Sequence, residues 1–461
     1  MDQTELQKNK RAALIVAAVG SYLGPFMGSS VNVALPSIGQ EFSMGAVLLG
    51  WVNMAFLLSA AAFSIPFGRL GDIYGRKKIY MIGVIVFTIS SILIANSVSS
   101  MMLIICRALQ GFGASMIFAT GMAILISVFP IGERGKVLGI TIAAVYFGLS
   151  TGPFFGGLIT QHLGWRFIFW LNLPLGLILL SIIFFMLKGD WAEAKEMKFD
   201  LWGSIILGLS LLSTMYGFSR MPSVIAGVLV GIGLISLVLF VIYELRIESP
   251  VIDINLFRHN TVFAFSNLAA LINYAATFGV TFLLSLYLQK VRGYPPQEAG
   301  TILIVEPVIQ AIFSPIAGRL SDKIEPRTVA SVGMVITLIG LVLLTFLNAG
   351  TSLTYIMFCL MLFGFGFALF SSPNTNAIMS SVERRFYGVS SATVGTMRQV
   401  GMMFSMGIVM MIMALLLGQS EINVANQPQF IESMRVAFTI FAVMCFGGIF
   451  ASLARGRMNR K

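Results

Sequence analysis

Long apolar runs follow one another along nearly the whole chain, separated by short polar or charged segments. About fourteen of these runs contain roughly 18 to 28 residues, enough for an α-helix to cross a hydrocarbon core about 30 Å thick. The expected fold is therefore an all-α integral membrane protein with 14 transmembrane helices. The predicted spans lie near residues 12–34, 47–67, 79–97, 101–128, 136–160, 167–187, 200–219, 223–244, 261–289, 298–318, 328–348, 353–380, 388–418 and 433–454.

Composition and charge support this fold class. The 461 residues are 57% hydrophobic and 11% charged, whereas a soluble domain has about 25% charged residues. Roughly 23 of the 30 Lys and Arg residues lie on the side of the N-terminus and about 5 on the other side, and Arg107 and Arg398 lie within spans. Because cytoplasmic loops hold the excess of positive charge, both termini are expected to be cytoplasmic. The net charge of +11 then reflects topology and contact with anionic membrane lipid, not nucleic-acid binding.

An internal repeat divides the chain. The segment SIPFGRLGD at 64–72 recurs as SPIAGRLSD at 314–322, an offset of 250 residues, which indicates a parallel repeat of two six-helix halves. A charged loop and two plain apolar spans lie between the halves, and these two helices are expected to face lipid. We expect residues 244–260 to lie along the cytoplasmic interface. The predicted domains are an N-terminal six-helix bundle (1–190), the loop with two linker helices (191–247) and a C-terminal six-helix bundle (248–461).

Glu306 interrupts an apolar run, TILIVEPVIQ, about 12 Å from the outer end of its predicted helix. A charge at such a depth costs about 2.5 to 3.5 kcal/mol, so the carboxyl group must be protonated, paired with a cation or in contact with water. The spans of the first half contain no Asp or Glu, and the repeat offset matches Glu306 with Phe56. Glu306 is therefore the candidate proton carrier. The alternative is a structural acid that neutralises Arg107 or Arg398.

Other polar side chains within the spans are candidates for lining a substrate cavity near the middle of the membrane. Gln110 follows Arg107 by one helical turn, and Gln310 follows Glu306 in the same way. The remaining candidates are Ser29, Asn32, Asn53, Asn273, Tyr274, Asn374 and Asn376.

Cofactor and metal chemistry are not expected. The three cysteines fall in separate spans, and His162 and His259 lie in loops without a second ligand at metal-site spacing. The sequence also contains neither HExxH nor a Walker-type GxxxxGK[ST] motif, so an enzyme is not expected. No obligate protein partner is evident.

Two glycine-containing motifs predict close helix packing. In GRLGDIYGRKK (68–78), Gly68, Gly71 and Gly75 permit a tight turn, and Asp72 is placed to accept hydrogen bonds from the N-terminus of a facing helix. We expect Arg76 to pair with Glu133, which would make this loop a conformational latch. The repeat places Asp322 at the equivalent position in the second half.

The second motif is GLSTGPFFGG (148–157). Its small residues recur every four positions, which would let a helix of the other half pack closely while the proline bends the motif helix. The residues concerned are Gly148, Gly152, Pro153, Gly156 and Gly157.

These motifs, together with RALQG (107–111), VNVALP (31–36) and WRFIFWLNLPLG (165–176), resemble the fourteen-helix drug:proton antiporter branch of the major facilitator superfamily. The resemblance covers nearly the whole chain. It implies an exporter, a latch role for residues 68–78 and a part for Arg107 in proton or substrate handling. Two departures stand out: Met27 lies in the first helix where members often carry an acid, and Glu306 precedes a proline where the family residue is usually apolar.

The sequence thus predicts a plasma-membrane (cell inner membrane) exporter that works by alternating access. Its expected cargo is a small hydrophobic or cationic compound of the multidrug type, moved out against protons. Glu306 would carry the proton, Arg107 and Arg398 would tune it, and Met27 would join the polar candidates in the cavity. The alternatives are export of one endogenous metabolite or organic anion, and a non-cycling membrane sensor.

Overall fold

The computed structural model describes residues 3–192, 199–247, 254–382, 387–418 and 420–456. All regular elements in these ranges are helices. They are α1 (Gln3–Glu41), α2 (Ala46–Tyr74), α3 (Arg76–Ala95), α4 (Ser100–Val128), α5 (Ile131–His162), α6 (Arg166–Trp170), α7 (Asn172–Phe185), α8 (Leu201–Ser219), α9 (Val224–Glu244), α10 (Ile254–His259), α11 (Thr261–Leu286), α12 (Pro296–Leu303), α13 (Val305–Lys323), α14 (Pro326–Leu344), α15 (Leu353–Ser380), α16 (Tyr387–Leu416) and α17 (Gln427–Ala454).

Fourteen helical stretches in the described residues are long and apolar enough to cross a membrane, which confirms the predicted number of spans. One span consists of α6 and α7, and another of α12 and α13. The first helix extends well beyond the predicted 12–34 at both ends. Hydropathy marks only the part of a helix that lies in hydrocarbon, whereas backbone hydrogen bonding continues the helix through the polar interface.

An even number of spans among the described residues puts the start of α1 and the end of α17 at the same end of the helix bundle. We call this end, which also holds Arg76, the inner end and the opposite end the outer end, following the charge prediction. Helices α1–α7 pack against one another in a first group, in which α1 contacts α5 and α4 contacts both α2 and α3. Helices α11–α17 form a second group, in which α11 contacts α16 and α15 contacts both α13 and α14.

One helix crossing is packed in the same way in both groups, with a glycine on a backbone carbonyl. A Cβ atom on Gly111 of α4 would overlap the carbonyl oxygen of Phe56 on α2. A Cβ atom on Gly364 of α15 would overlap the carbonyl oxygen of Glu306 on α13 in the same way. Phe56 and Glu306 are 250 residues apart, which is the offset of the sequence motif, whereas the two glycines are 253 residues apart, so the repeat relates the two crossings to within one helical turn.

Several contacts between the two groups lie towards the outer end. The Ser285 hydroxyl of α11 donates to the carbonyl of Asn32 at 2.6 Å, and Gln289 donates to the carbonyl of Val33 at 2.9 Å. A Cβ on Gly157 of α5 would overlap the carbonyl oxygen of Pro296, which begins α12. Backbone this close leaves little room between α5 and α12, so these contacts close the outer end.

The two linker helices differ in their surroundings. Most large side chains of α9 are exposed on the protein surface, among them Val224 and Ile225, as predicted for a helix that faces lipid. Helix α8 instead contacts both α2 and α16, one helix from each group. The rings of Trp51 and Tyr216 are 6.1 Å apart on the α2 side, and those of Phe218 and Phe404 are 6.3 Å apart on the α16 side. Of the predicted interfacial segment 244–260, residues 248–253 lie outside the described residues.

Candidate functional site

Glu306 lies in the first turn of α13, directly after the break at Ile304 that separates α12 from α13. Pro307 follows and has no N–H group, so the carbonyl of Leu303 has no intrahelical donor at this point. The acid is ten residues along its span from Pro296, about 15 Å of helix. Its side chain therefore lies deep within the span, as the sequence predicted.

The partners of the Glu306 carboxylate are neutral. The Gln310 side-chain amide donates to Oε1 at 3.0 Å, and the Thr281 hydroxyl of α11 lies 3.4 Å from Oε2. Glu306 is 9% exposed, and no cationic group of the described residues lies within 4.0 Å of it. An ion pair of Glu306 with Arg107 or Arg398, the structural alternative, is thus not formed in this arrangement.

Arg107 is buried in the first group, with only 1% of its surface exposed. Its Nε donates to the Val52 carbonyl at 2.9 Å, and Nη1 donates to Gln110 Oε1 at 2.6 Å. The guanidinium also lies 4.6 Å from the ring centroid of Phe56, the residue equivalent to Glu306 by the repeat. No carboxylate of the described residues reaches this cation. Its stabilisation therefore comes from the dipoles of its hydrogen-bond partners and from the aromatic face of Phe56.

A hydrogen-bonded network extends from Arg107 and includes two residues that the sequence analysis missed. Gln110 donates to the Ser91 hydroxyl of α3 at 2.7 Å, and Asn172 of α7 donates to the same hydroxyl at 3.1 Å. Asn172 also lies 3.1 Å from the Met27 sulfur, so the network reaches the first helix. The polar Asn172 within the apolar stretch that follows Trp165 was a visible signal. Ser91 carried none, because serine is common in membrane helices.

Two further predicted cavity residues pair with each other near the outer half of the first group. The Asn53 side chain donates to the Asn32 side-chain oxygen at 2.6 Å, and both are buried. The Ser29 hydroxyl is bonded to the Pro25 carbonyl of its own helix at 2.7 Å.

Arg398 occupies the second group, away from Glu306. Its Nη2 donates to the Thr375 hydroxyl at 2.9 Å, and its guanidinium lies 5.6 Å from the ring centroid of Tyr274. The Tyr274 ring in turn meets Phe367 edge to face at 5.2 Å. Arg398, Tyr274 and Phe367 thus form a cation and aromatic cluster on three helices.

The remaining predicted cavity residues hold helices of the second group together or lie buried between them. Asn374 of α15 donates to the Ser266 carbonyl at 3.1 Å, and Asn376 donates to the Ser321 hydroxyl at 3.0 Å. Asn273 of α11 is fully buried, and neither atom of its amide has a hydrogen-bond partner among the described protein groups.

The loop at the inner end forms contacts within the first group that differ from the predicted latch. Asp72 accepts from Arg76 at 2.7 Å, not from the N-terminus of a facing helix. Glu133 pairs with Lys10 of α1 at 2.9 Å, so the expected pair of Arg76 with Glu133 is not formed in this arrangement and stays a prediction for another conformation. Gly75 adopts φ +110°, and this turn places Arg76 one helical turn beyond Asp72, where its guanidinium reaches back to the carboxylate. Gly68 lies open beside Ala119, and the Asp322 side chain lies outside the described residues.

The motif at 148–157 packs mainly against its own group, which corrects the predicted partner. Added Cβ atoms on Gly148, Gly152 and Gly156 would meet Tyr22, Ser29 and Ser30 of α1. Gly157 and Pro153 instead meet α12 of the other group, at Pro296 and Gly300. Glycines four apart lie on one helix face, which faces α1, whereas Gly157 is rotated about 100° from Gly156 and faces α12.

The structure contains two buried polar sites, one around Arg107 in the first helix group and one around Glu306 in the second. The carboxyl group of Glu306 can exchange a proton without breaking an ion pair, because its neighbours are neutral. Arg107 supplies a fixed positive charge in the other group. No group of three or more His, Cys, Asp or Glu side chains suitable for a metal ion occurs in the part of the chain that the structure describes.

Comparison with known proteins matches the chain to one family over almost its full length. The profile described as Major Facilitator Superfamily matches residues 14–406 and 266–460. The riboflavin transporter RibZ of Clostridioides difficile (strain 630) is 30% identical over 443 residues, covering 96% of each chain. The multidrug resistance protein Stp of Mycobacterium tuberculosis (strain CDC 1551 / Oshkosh) is 31% identical over 402 residues, 86% of this chain and 74% of that protein.

A solved structure shares the fold. It is a bacterial homologue of the human lysosomal transporter Spinster in an inward-facing and unoccupied conformation, which superposes with a TM-score of 0.67 at 17% identity and covers 97% of both chains.

Proposed function

Because the chain belongs to the major facilitator superfamily and is a multi-pass membrane transporter, we propose that it exports small hydrophobic or cationic compounds of the multidrug type in exchange for protons. The cargo would bind between the two helix groups and cross the membrane as the groups rock. The proposed location is the plasma membrane, the inner membrane of the cell, in contact with lipid. The relative named as a multidrug resistance protein supports this cargo class.

The observation that carries the proposal is the setting of Glu306. The acid is buried deep in a span, and its partners are the neutral Gln310 and Thr281. The ionised form costs free energy in that setting, whereas the protonated form does not, so a state that buries Glu306 binds a proton. A state that hydrates Glu306 releases it.

In this mechanism one proton enters from the outer end and converts the Glu306 carboxylate to the neutral acid. The closed outer end, with Ser285 bonded to Asn32, then prevents the proton from returning. Release at the inner end regenerates the carboxylate, and the cargo moves in the opposite direction. We propose that Arg107 and Arg398 tune these steps through the charge that they place in each helix group.

The test is the substitution Glu306→Gln in inverted membrane vesicles, with ethidium as a fluorescent lipophilic cation. Glutamine keeps the size and polarity of the side chain but cannot exchange a proton at neutral pH. We expect transport driven by a pH gradient to be lost and ethidium binding to persist. Glu298→Gln is the matched control, because Glu298 is exposed near the outer end of the same span and should leave transport unchanged. Transport by Glu306→Gln that still follows the pH gradient contradicts the proposal.

A second candidate function is export of one endogenous metabolite, for which a flavin or another organic anion is a suitable class. RibZ favours it, because that relative and this chain match over 96% of both lengths. The buried and unpaired guanidinium of Arg107 also suits a cargo with negative charge. Efflux of riboflavin from proteoliposomes, with no efflux of ethidium, would select this candidate.

A further inference from the structure

Resting on the proposed function of Glu306, we propose that the second helix group contains a proton path of its own. The path is a file of buried polar groups between α11, α13 and α15 that binds water molecules from Glu306 towards the inner end. We call these groups the polar file: Glu306, Gln310, Ser314, Thr281, Thr277, Asn273, Asn374, Ser266 and Asn267.

The first part of the polar file lies on one face of α13. Glu306, Gln310 and Ser314 recur at every fourth position, so their side chains lie above one another along the helix. Gln310 donates to Glu306, but its side-chain oxygen has no hydrogen-bond partner in the described chain, and the same holds for the Ser314 hydroxyl. Both residues are buried. One polar atom one helical turn from the acid, and a second about 12 Å from the acid along α13, thus remain available to water.

A second part faces Glu306 from α11. Thr281, Thr277 and Asn273 also recur at every fourth position, and Thr281 is the residue that contacts Glu306. Because α11 runs antiparallel to α13, Asn273 lies about 12 Å inward from Thr281. Asn273 is 0% exposed, and both its Nδ2 and its Oδ1 lack a partner among described protein atoms.

The polar file continues towards the inner end where α11 meets α15. Asn374 of α15 is bonded through Nδ2 to the backbone of Ser266 at 3.1 Å, which fixes the distance between these helices. The Asn374 Oδ1, the Ser266 hydroxyl and the Asn267 Oδ1 are again buried and unpartnered in the described residues.

Seven unpartnered atoms in this small region need an explanation, because an unsatisfied buried polar atom destabilises a protein and native proteins usually satisfy it with water. In the first group the corresponding atoms belong to Arg69, Thr88, Ser150, Thr160 and Asn172 and follow no helix face towards Glu306. The positions of the seven atoms instead connect the acid with the inner end. Water bound to them would form hydrogen bonds from one group to the next.

The polar file would conduct the proton from Glu306 to the inner end. Glu306 transfers its proton to the first water, the excess proton passes along the chain of waters, and the last water releases it at the inner end, which leaves the carboxylate behind. The titratable groups on the helices around this region are Tyr274 on α11, Arg398 on α16, Arg319 near the inner end of α13 and Tyr146 on α5, which lies near Tyr274. None of them contacts the Glu306 carboxylate. Proton release then follows a path whose polar groups all belong to the second helix group.

The test measures the proton at Glu306 directly, without a cargo. Infrared spectra of the full-length protein in lipid record the carbonyl band of the protonated acid. The band is assigned to Glu306 by its loss in Glu306→Gln. Its shift after transfer into D₂O gives the rate at which the proton exchanges. In Asn273→Leu and Ser314→Val we expect the exchange rate to fall by roughly tenfold or more, since a placed proton-transfer group is worth about 10²- to 10⁴-fold. Thr88→Val is the matched control, because it removes a buried unpartnered hydroxyl outside the polar file.

The outcomes separate this inference from the proposed function. The polar file is overturned if the proton at Glu306 exchanges as fast in Asn273→Leu and Ser314→Val as in the parent protein and in Thr88→Val. This holds even if Glu306→Gln abolishes coupling. Absence of a carbonyl band that depends on Glu306 overturns the proposed function and the polar file together. The melting temperature in detergent is the second measurement. Hydrated groups predict no gain in stability from Asn273→Leu, whereas a clear rise would mean that Asn273 is dry and would contradict the path.

Discussion

At the scale of single residues, Gly111 and Gly364 set the backbone positions of Phe56 and Glu306. Each glycine packs directly on a backbone carbonyl, Gly111 on that of Phe56 and Gly364 on that of Glu306. We expect Gly111→Ala and Gly364→Ala to lower the free energy of unfolding by similar amounts, about 1 to 3 kcal/mol each, because a methyl group has no space at either place. Gly364→Ala alone should also weaken proton coupling, since it displaces the backbone of Glu306.

The measurements are unfolding in mixed micelles and transport driven by a pH gradient. Gly227→Ala of α9 is the control, because no atom lies within 4 Å of the added carbon, and alanine favours the helix by up to about 1 kcal/mol. Equal coupling in the Gly111 and Gly364 variants would show that the backbone position of Glu306 does not matter for the proton.

The sequence made Glu306 visible because a charge in an apolar run is rare and costly. Its partner Thr281 was not visible, since threonine is frequent in membrane helices and its partner depends on how α11 and α13 pack. The same limit explains why Arg76 does not pair with Glu133 in this arrangement. Charge alone did not show that Lys10, on a helix extension beyond the predicted span, reaches Glu133 first.

At the scale of helices, the crossing of α5 and α12 acts as the closure of the outer end. Gly300 of α12 packs on the carbonyl of Pro153, so Gly300→Ala should push the two helices apart and favour the outward-open state. A bias of about 1.4 kcal/mol changes the population roughly tenfold. We expect a cysteine introduced at the buried Ser285 to react about tenfold faster with an impermeant thiol reagent applied at the outer end.

Gly139→Ala is the matched control, because Gly139 lies on α5 in open space and its substitution should not change the reaction rate. Unchanged labelling in Gly300→Ala would mean that other contacts hold the outer end closed.

Helix number and order followed from hydropathy, because the length of a span is set by membrane thickness. The break at Ile304 and the π-helical turn Tyr287–Val291 that ends the α11 span did not, since both are local departures within an apolar run. The motif at 148–157 likewise predicted close packing correctly. Its spacing contains no information on whether α1 or α12 is the neighbour, and the structure divides its residues between the two.

At the scale of the whole molecule, α8 contacts both helix groups, which the proposed mechanism moves relative to each other. It packs on α2 near Trp51 and on α16 near Phe404, and Phe218 also fills the space beside Gly407. Rocking of the groups should therefore slide α2 and α16 past each other beneath α8. One short thiol-specific linker would join cysteines introduced at positions 51 and 216, and a second would join cysteines introduced at positions 218 and 404. We expect transport to continue when only one of the two linkers is present.

Both linkers together should stop transport, because they fix α2 to α16 through α8. The measurement is counterflow of labelled cargo before and after reductive cleavage of the linkers. If the doubly linked protein transports cargo as fast as the singly linked proteins, α2 and α16 do not move relative to each other beside α8.

The neutral surroundings of Glu306 have an electrical consequence. In the proposed mechanism, a single carboxyl group that alternates between its two forms moves one elementary charge per cycle, worth about 2.3 kcal/mol for every 100 mV across the membrane. For a monovalent cationic cargo the two charges cancel and voltage does no work, whereas an uncharged cargo draws on voltage and acidity alike. The charge of the compound, not a change in the protein, then decides which part of the cell's energy supply drives its removal.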